Sequence, residues 1–290
     1  MVAYNSSLAR IFSVNTIKDL VKSNRPEKVF SILKETNNLD LLYENYTLAD
    51  FFNKIYDILL KNYRGEYVYK NSIVLRHLLG KHSLNTSFVI PELRAVNCKA
   101  DMVLFNGTST VYEIKSEYDT TKRIGRQLEA YSKVFDKSYI ITTEKSLKNI
   151  EKFIDIHVGI LLLTDKEYIS VVKEAISMKN RLHQEDIFNV LTKTEYLEII
   201  KKYNGFIPEV PNTKIYIESL KLFKKLSPEV AHDEMVLALK KRGSSQILKD
   251  FILNVPDSLK ALSISTRITN NERKIFTELL NENVSDTIRK

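Results

Sequence analysis

Hydrophobic residues change their spacing twice along this chain, and that change constrains the fold more than any other feature. From Ile11 to Tyr63 apolar residues recur every three or four positions, as in Leu48, Phe51, Phe52, Ile55, Ile58 and Leu59, the period of a helix with one buried face. Asn24 and Pro26 read as a helix start in that region, a capping side chain followed by a proline tolerated in the first turn. Between about Phe88 and Thr164 the pattern becomes short β-rich runs: Phe88 to Leu93, Ala100 to Phe105, Thr110 to Lys115, Ser138 to Thr142 and Gly159 to Leu163. Two helical segments accompany them, roughly Glu66 to Gly80 before the first run and Thr120 to Phe135 between the third and fourth. After about Glu174 helical spacing returns, broken at Gly205, Pro208, Pro211, Pro228, Gly243 and Pro256. The expected class is α/β, with a helical region over 1–62, a sheet-bearing core over 63–174 and a second helical region over 175–290.

Composition removes several functional classes. The one cysteine, Cys98, leaves no disulfide framework and no cysteine-based zinc site, and fits a reducing cytoplasm. Apolar runs such as Val158 to Leu163 are far shorter than the ~20 residues of a membrane helix. Residues 1 to 20 lack the basic start and apolar stretch of a signal peptide. No P-loop, dinucleotide fingerprint, HExxH or GxSxG occurs. The net charge of +8 is spread along the chain and is compatible with a polyanionic partner.

Chemistry concentrates in "KADMVLFNGTSTVYEIKSE", residues 99–117. Alternation puts Glu113 and Lys115 on one face of the third strand. Whether Asp101 shares that face depends on the turn. A two-residue Asn106-Gly107 turn sets Asp101 opposite Tyr112, on the wrong face. A three-residue loop, Asn106 to Thr108, sets it across from Glu113 with Cβ atoms about 5 Å apart, and a five-residue loop keeps the same parity. Gly107 can supply the positive φ that the three-residue loop requires. Two such carboxylates repel, so removing either is expected to cost little stability. A divalent cation would compensate them, and oxygen ligands completed by water and substrate suit Mg²⁺ or Mn²⁺. Lys115 would orient the attacking water or offset phosphate charge. On the helix that follows, Arg123, Gln127 and Tyr131 lie one turn apart in a row, and Arg123 or Arg126 could hold a phosphate.

Asp101 followed by Glu113-Ile114-Lys115, after a helix opening with a glutamate, resembles the PD-(D/E)xK nuclease superfamily, whose restriction-endonuclease-like core is αβββαβ around a central mixed sheet. The leading proline of that motif is absent, since Lys99-Ala100 precede Asp101. Gln127 to Tyr131, "QLEAY", resembles the QxxxY element of the RecB-like and Cas4-like branches. From about Gly65 to Thr143, "EYVYKN", "GKHSLNT" and "QLEAYSKVFDK" resemble more closely a largely uncharacterised bacterial family within the superfamily. The resemblance implies that Asp101 and Glu113 ligate metal, that Lys115 serves the nucleophilic water, and that Gln127 and Tyr131 face the site. Glu66 suits the first-helix glutamate of resolvase-like members. Glu92, on the first strand, is the rival, as a metal ligand.

The expected function is a Mg²⁺- or Mn²⁺-dependent nuclease hydrolysing phosphodiester bonds, foremost in DNA, in defence, restriction or repair. Two alternatives stand beside it: a nucleic-acid-binding protein on a nuclease scaffold with catalysis lost, and a protein-interaction factor of immunity or regulatory type. By analogy with nucleases that cut two strands, a homodimer or a protein partner held by the helical flanks is also expected.

Overall fold

The computed structural model describes residues 2–23, 27–43 and 45–288. The helix start read at Asn24 and Pro26 lies outside the described residues. By its contacts the chain forms two units, each assembled from separated stretches. One comprises the described residues of Met1–Lys81, Thr164–Tyr168 and Ser245–Lys290; the other comprises His82–Leu163 and Ile169–Ser244.

The second unit holds the sheet. Its six strands are β1 (Phe88–Ala95), β2 (Cys98–Phe105), β3 (Ser109–Ile114), β4 (Lys137–Thr142), β5 (Gly159–Leu163) and β6 (Ile169–Lys173), in spatial order 1-2-3-4-5-6. β1, β2 and β3 are antiparallel neighbours, β3, β4 and β5 are parallel, and β6 returns antiparallel. The class is thus α/β with a central mixed sheet and flanking helices. The parallel β3–β4 connection needs a crossover, and the helix Ile124–Ser132 supplies it. Every residue of β3 is buried, as befits a strand paired on both sides and covered on both faces.

Val103, Phe105, Val111 and Ile140 from the sheet meet Ile124, Leu128 and Tyr131 from the crossover helix, and Phe135 just after it, in one core. Phe188, Phe223 and Leu239, from helices after residue 174, join the same core. Much of the C-terminal helical region therefore belongs to the sheet unit. β6 was not among the runs read from sequence. Its Ser170, Val171 and Val172 are all exposed, so five residues on a sheet edge carry no alternation that would separate them from a loop.

The first unit is helical. Helix Leu48–Asn62 is opened by a capping box between Thr47 and Asp50 and buries Phe51, Phe52, Ile55, Tyr56 and Leu59. Phe12, Phe52, Tyr56, Tyr67, Phe251 and Phe276 form its aromatic centre. The helical stretch beginning at Glu66 is α-helical to Ile73 and widens into a π-helix over Val74–Leu79. No helix among the described residues is long and apolar enough to cross a membrane.

Candidate active site

The β2–β3 turn settles which face Asp101 occupies. Phe105 pairs with Ser109, leaving Asn106, Gly107 and Thr108 as a three-residue loop. Gly107 sits at φ +101° with nothing within 4 Å of where a Cβ would stand. Its role is conformational freedom rather than close packing. The pairing continues through Val103–Val111 to Met102–Tyr112, which brings Asp101 to the level of Glu113 on the same face.

Around those two carboxylates the side chains interlock. Asp101, half-buried, accepts a hydrogen bond at Oδ2 from the Ile114 N–H at 2.7 Å. Glu113 is 1% exposed and Lys115 9%. Lys115 Nζ lies 2.6 Å from Glu113 Oε1 and donates also to Gln127 Oε1 at 3.2 Å. The Tyr131 hydroxyl lies 2.7 Å from Glu113 Oε2 and 3.1 Å from the Lys99 carbonyl. Burial, and secondarily the Glu113 charge, push the Tyr131 phenol well above its ordinary range, so it remains a protonated donor.

Lys115 lies one residue past the end of β3. Its N–H bonds the Ile141 carbonyl at 2.9 Å, and its own carbonyl accepts from Thr142 Oγ1 at 2.7 Å. β4 thus fixes the lysine backbone. Thr142 was not singled out from the sequence, because its part depends on a parallel pairing that local spacing does not encode.

Five of the residues named from sequence, Asp101, Glu113, Lys115, Gln127 and Tyr131, therefore share one cluster. Arg123 caps the crossover helix and Arg126 lies in its first turn; both are exposed and neither makes an ion pair among the described residues. Glu92 sits between Pro91–Met102 and Leu93–Ala100, at the level of Asp101. Its φ is +56°, and its exposed carboxylate pairs with Lys99 at 2.6 Å. Glu66 belongs to the helical unit, at the start of helix Glu66–Ile73, where it pairs with Lys70 at 2.7 Å.

Among the described residues no three of His, Cys, Asp and Glu converge as a cation cage. Asp101 and Glu113 instead offer two carboxylates on neighbouring strands, and an ionised carboxylate has about four lone-pair sites with which to accept hydrogen bonds or hold a cation. That donor set fits Mg²⁺ or Mn²⁺, which bind through one or two carboxylates and complete their shell with water and phosphate oxygens.

A second buried network sits at the other end of the hairpin. Ser109 Oγ is 2.8 Å from His232 Nε2 and accepts from the Asp136 N–H at 3.0 Å, and His232 Nδ1 faces Asp233 Oδ1 at 3.2 Å. Ser109 and His232 are wholly buried. This serine, histidine and aspartate order has no solvent access for a substrate and ties the hairpin to helix Pro228–Lys241.

Comparison with known proteins adds three findings. "Protein cII" of Enterobacteria phage P4 is 26% identical over 136 residues, covering 45% of this chain and 51% of that protein. The alignment thus spans about half the length of the curated relative. Among solved structures, SPO1766, a protein of unknown function from Silicibacter pomeroyi, overlaps 32% of this chain and 62% of its own at 16% identity, with a TM-score of 0.27. That overlap is too loose to carry a structural argument. The model of the family described as bacteriophage P4 protein cII matches residues 59–263, well over half of the chain and the whole cluster around Asp101 and Glu113. The chain belongs to the bacteriophage P4 protein cII family.

Proposed function

We propose that the sheet unit is a metal-dependent nuclease of the PD-(D/E)xK type, acting on phosphodiester bonds in DNA within the cytoplasm. One observation carries the reading: Asp101 on β2, Glu113 on β3, Lys115 directly after β3 and Gln127 on the crossover helix form one cluster, with Lys115 Nζ bound to Glu113 and Gln127 at 2.6 and 3.2 Å. Asp101 and Glu113 would hold Mg²⁺ or Mn²⁺. When bound, the ion supplies Lewis-acid polarisation of the phosphate and an acidified water. Gln127 orients the Lys115 ammonium, and the ammonium positions the attacking water and offsets charge developing on the phosphate oxygens. Tyr131, held protonated, fixes the Glu113 carboxylate. Exposed Arg123 and Arg126 would take the phosphates flanking the reacting one.

A second reading has one observation in its favour. Both Glu113 oxygens already accept hydrogen bonds, from Lys115 and Tyr131, which suits a closed structural pair in a nucleic-acid-binding scaffold. The two readings separate on single-stranded, duplex and branched DNA and on RNA, each with Mg²⁺, Mn²⁺ or EDTA. Wild type should cut in metal and not in EDTA, and Lys115→Met should lose about 10²-fold or more, the usual worth of a positioned proton-handling group. A folded wild type that cuts nothing favours the scaffold. Cutting that is undiminished in Lys115→Met removes Lys115 from the chemistry.

A further inference from the structure

Directly after Lys115 the chain makes a tight turn with an unusual tenant. Asp119 Oδ2 accepts from the Ser116 N–H at 2.9 Å and lies 2.6 Å from Ser116 Oγ. Ser116 Oγ in turn accepts the Tyr118 N–H at 3.3 Å, and the Asp119 N–H bonds the Ser116 carbonyl at 3.3 Å. Four hydrogen bonds thus hold four residues. Ser116 is buried, yet Tyr118 is 41% exposed. It follows Lys115 by three positions, so its Cα lies at most about 11 Å from that of the lysine.

The charge of the adjoining segment is equally uneven. Lys122, Arg123 and Arg126 are exposed and make no ion pair among the described residues. Nearby cations are engaged: Lys99 pairs with Glu92, Lys133 with Glu129 and Lys145 with Glu117. An exposed aromatic ring on a hydrogen-bonded turn, a few residues from exposed cations that make no ion pair among the described residues, is a combination suited to a single strand, the ring taking a base face and the cations its phosphates. In a duplex those faces are covered by neighbouring bases, so such a ring has nothing to stack on.

We propose that Tyr118 is a base-stacking residue that makes this site select an unpaired strand, single-stranded DNA, over duplex. The inference rests on the nucleic-acid reading of the same site. It does not need turnover. Ser116 and Asp119 are positioning residues for the ring, and Lys122, Arg123 and Arg126 supply the phosphate contacts.

The chain contains no tryptophan, which makes a direct readout available. Tyr118→Trp places the only indole at the proposed stacking position. Titration with an oligothymidylate in EDTA should quench its emission, and an unnicked hairpin duplex of matched length should leave it unchanged. In parallel, fluorescence anisotropy should show Tyr118→Ala weakening single-strand binding roughly 5- to 150-fold, the equivalent of ~1–3 kcal/mol per stacked base. Tyr118→Phe should bind like wild type, since the ring and not the hydroxyl is used. Three results would overturn the proposal: wild type that binds no single strand, quenching equal for duplex and single strand, or single-strand affinity unmoved in Tyr118→Ala. Selective binding and quenching without cleavage in any metal would remove the nuclease reading and leave this inference intact. Cleavage with no effect of Tyr118→Ala on single-strand affinity would do the reverse.

Discussion

Glu113 and Lys115 form an ion pair at 2.6 Å with side chains 1% and 11% exposed, and this geometry makes a quantitative demand on stability. At an effective dielectric of 20 the Coulomb attraction at that distance is about 6 kcal/mol, most of it offset by the cost of taking both charges out of water. Removing one partner keeps the desolvation cost and loses the attraction. Glu113→Leu should therefore destabilise the sheet unit by about 3–5 kcal/mol, and Lys115→Met by a similar amount. The double variant replaces both charges with apolar groups and should fall well short of the sum. A coupling energy of ~2 kcal/mol or more is expected. This corrects the expectation that a repelling carboxylate could be removed cheaply: in the folded protein Glu113 is held by Lys115 and Tyr131. Urea unfolding of the four proteins, followed by tyrosine fluorescence and by circular dichroism, provides the measurement, with agreement of the two probes checked because the chain has two units. Additive losses in the double variant would refute the argument, since they would mean that the two groups are solvated independently.

Three further outcomes follow from other parts of the structure. Lys115→Met should retain Mn²⁺ binding, read by isothermal titration, because Asp101 and Glu113 supply the donor oxygens; loss of binding would make the lysine part of the metal site. Burial depresses the His232 pKa, with Asp233 and Asp136 opposing and Lys179 reinforcing the shift. The unfolded chain then binds the proton more readily, so stability should be full above about pH 6.5 and fall as pH drops from there to the folded value. His232→Gln should flatten that part of the urea-midpoint profile, and an unchanged slope would assign it to other groups. Gly107→Ala meets no clash but forces a side chain to φ +101°, and should lower stability by about 1 kcal/mol or more; an unchanged melting temperature would show that the loop adapts.

The change of hydrophobic period is local information, and it sufficed for the helical flanks, for five of the six strands and for the helix between β3 and β4. The hairpin chemistry was legible for the same reason. Alternation places Glu113 beside Lys115, and loop parity with Gly107 brings Asp101 to the same face. The four-residue step from Gln127 to Tyr131 puts both on the side of the crossover helix that meets them. What local spacing could not supply is contact between distant segments. Thr142 acts on Lys115 only because β4 runs parallel to β3. Glu92 lies level with Asp101 in left-handed backbone geometry, and its carboxylate pairs with Lys99. His232 reaches Ser109 across more than a hundred residues, and helices beyond residue 174 close the sheet's core although nothing in their spacing says which surface they cover. The sequence by itself determined which side chains could share a strand or helix face, because that is set by the 2.0 and 3.6 residue periods of the backbone. The tertiary structure decided which of them are buried, paired and able to act together, because burial and charge pairing depend on what the rest of the chain lays against them.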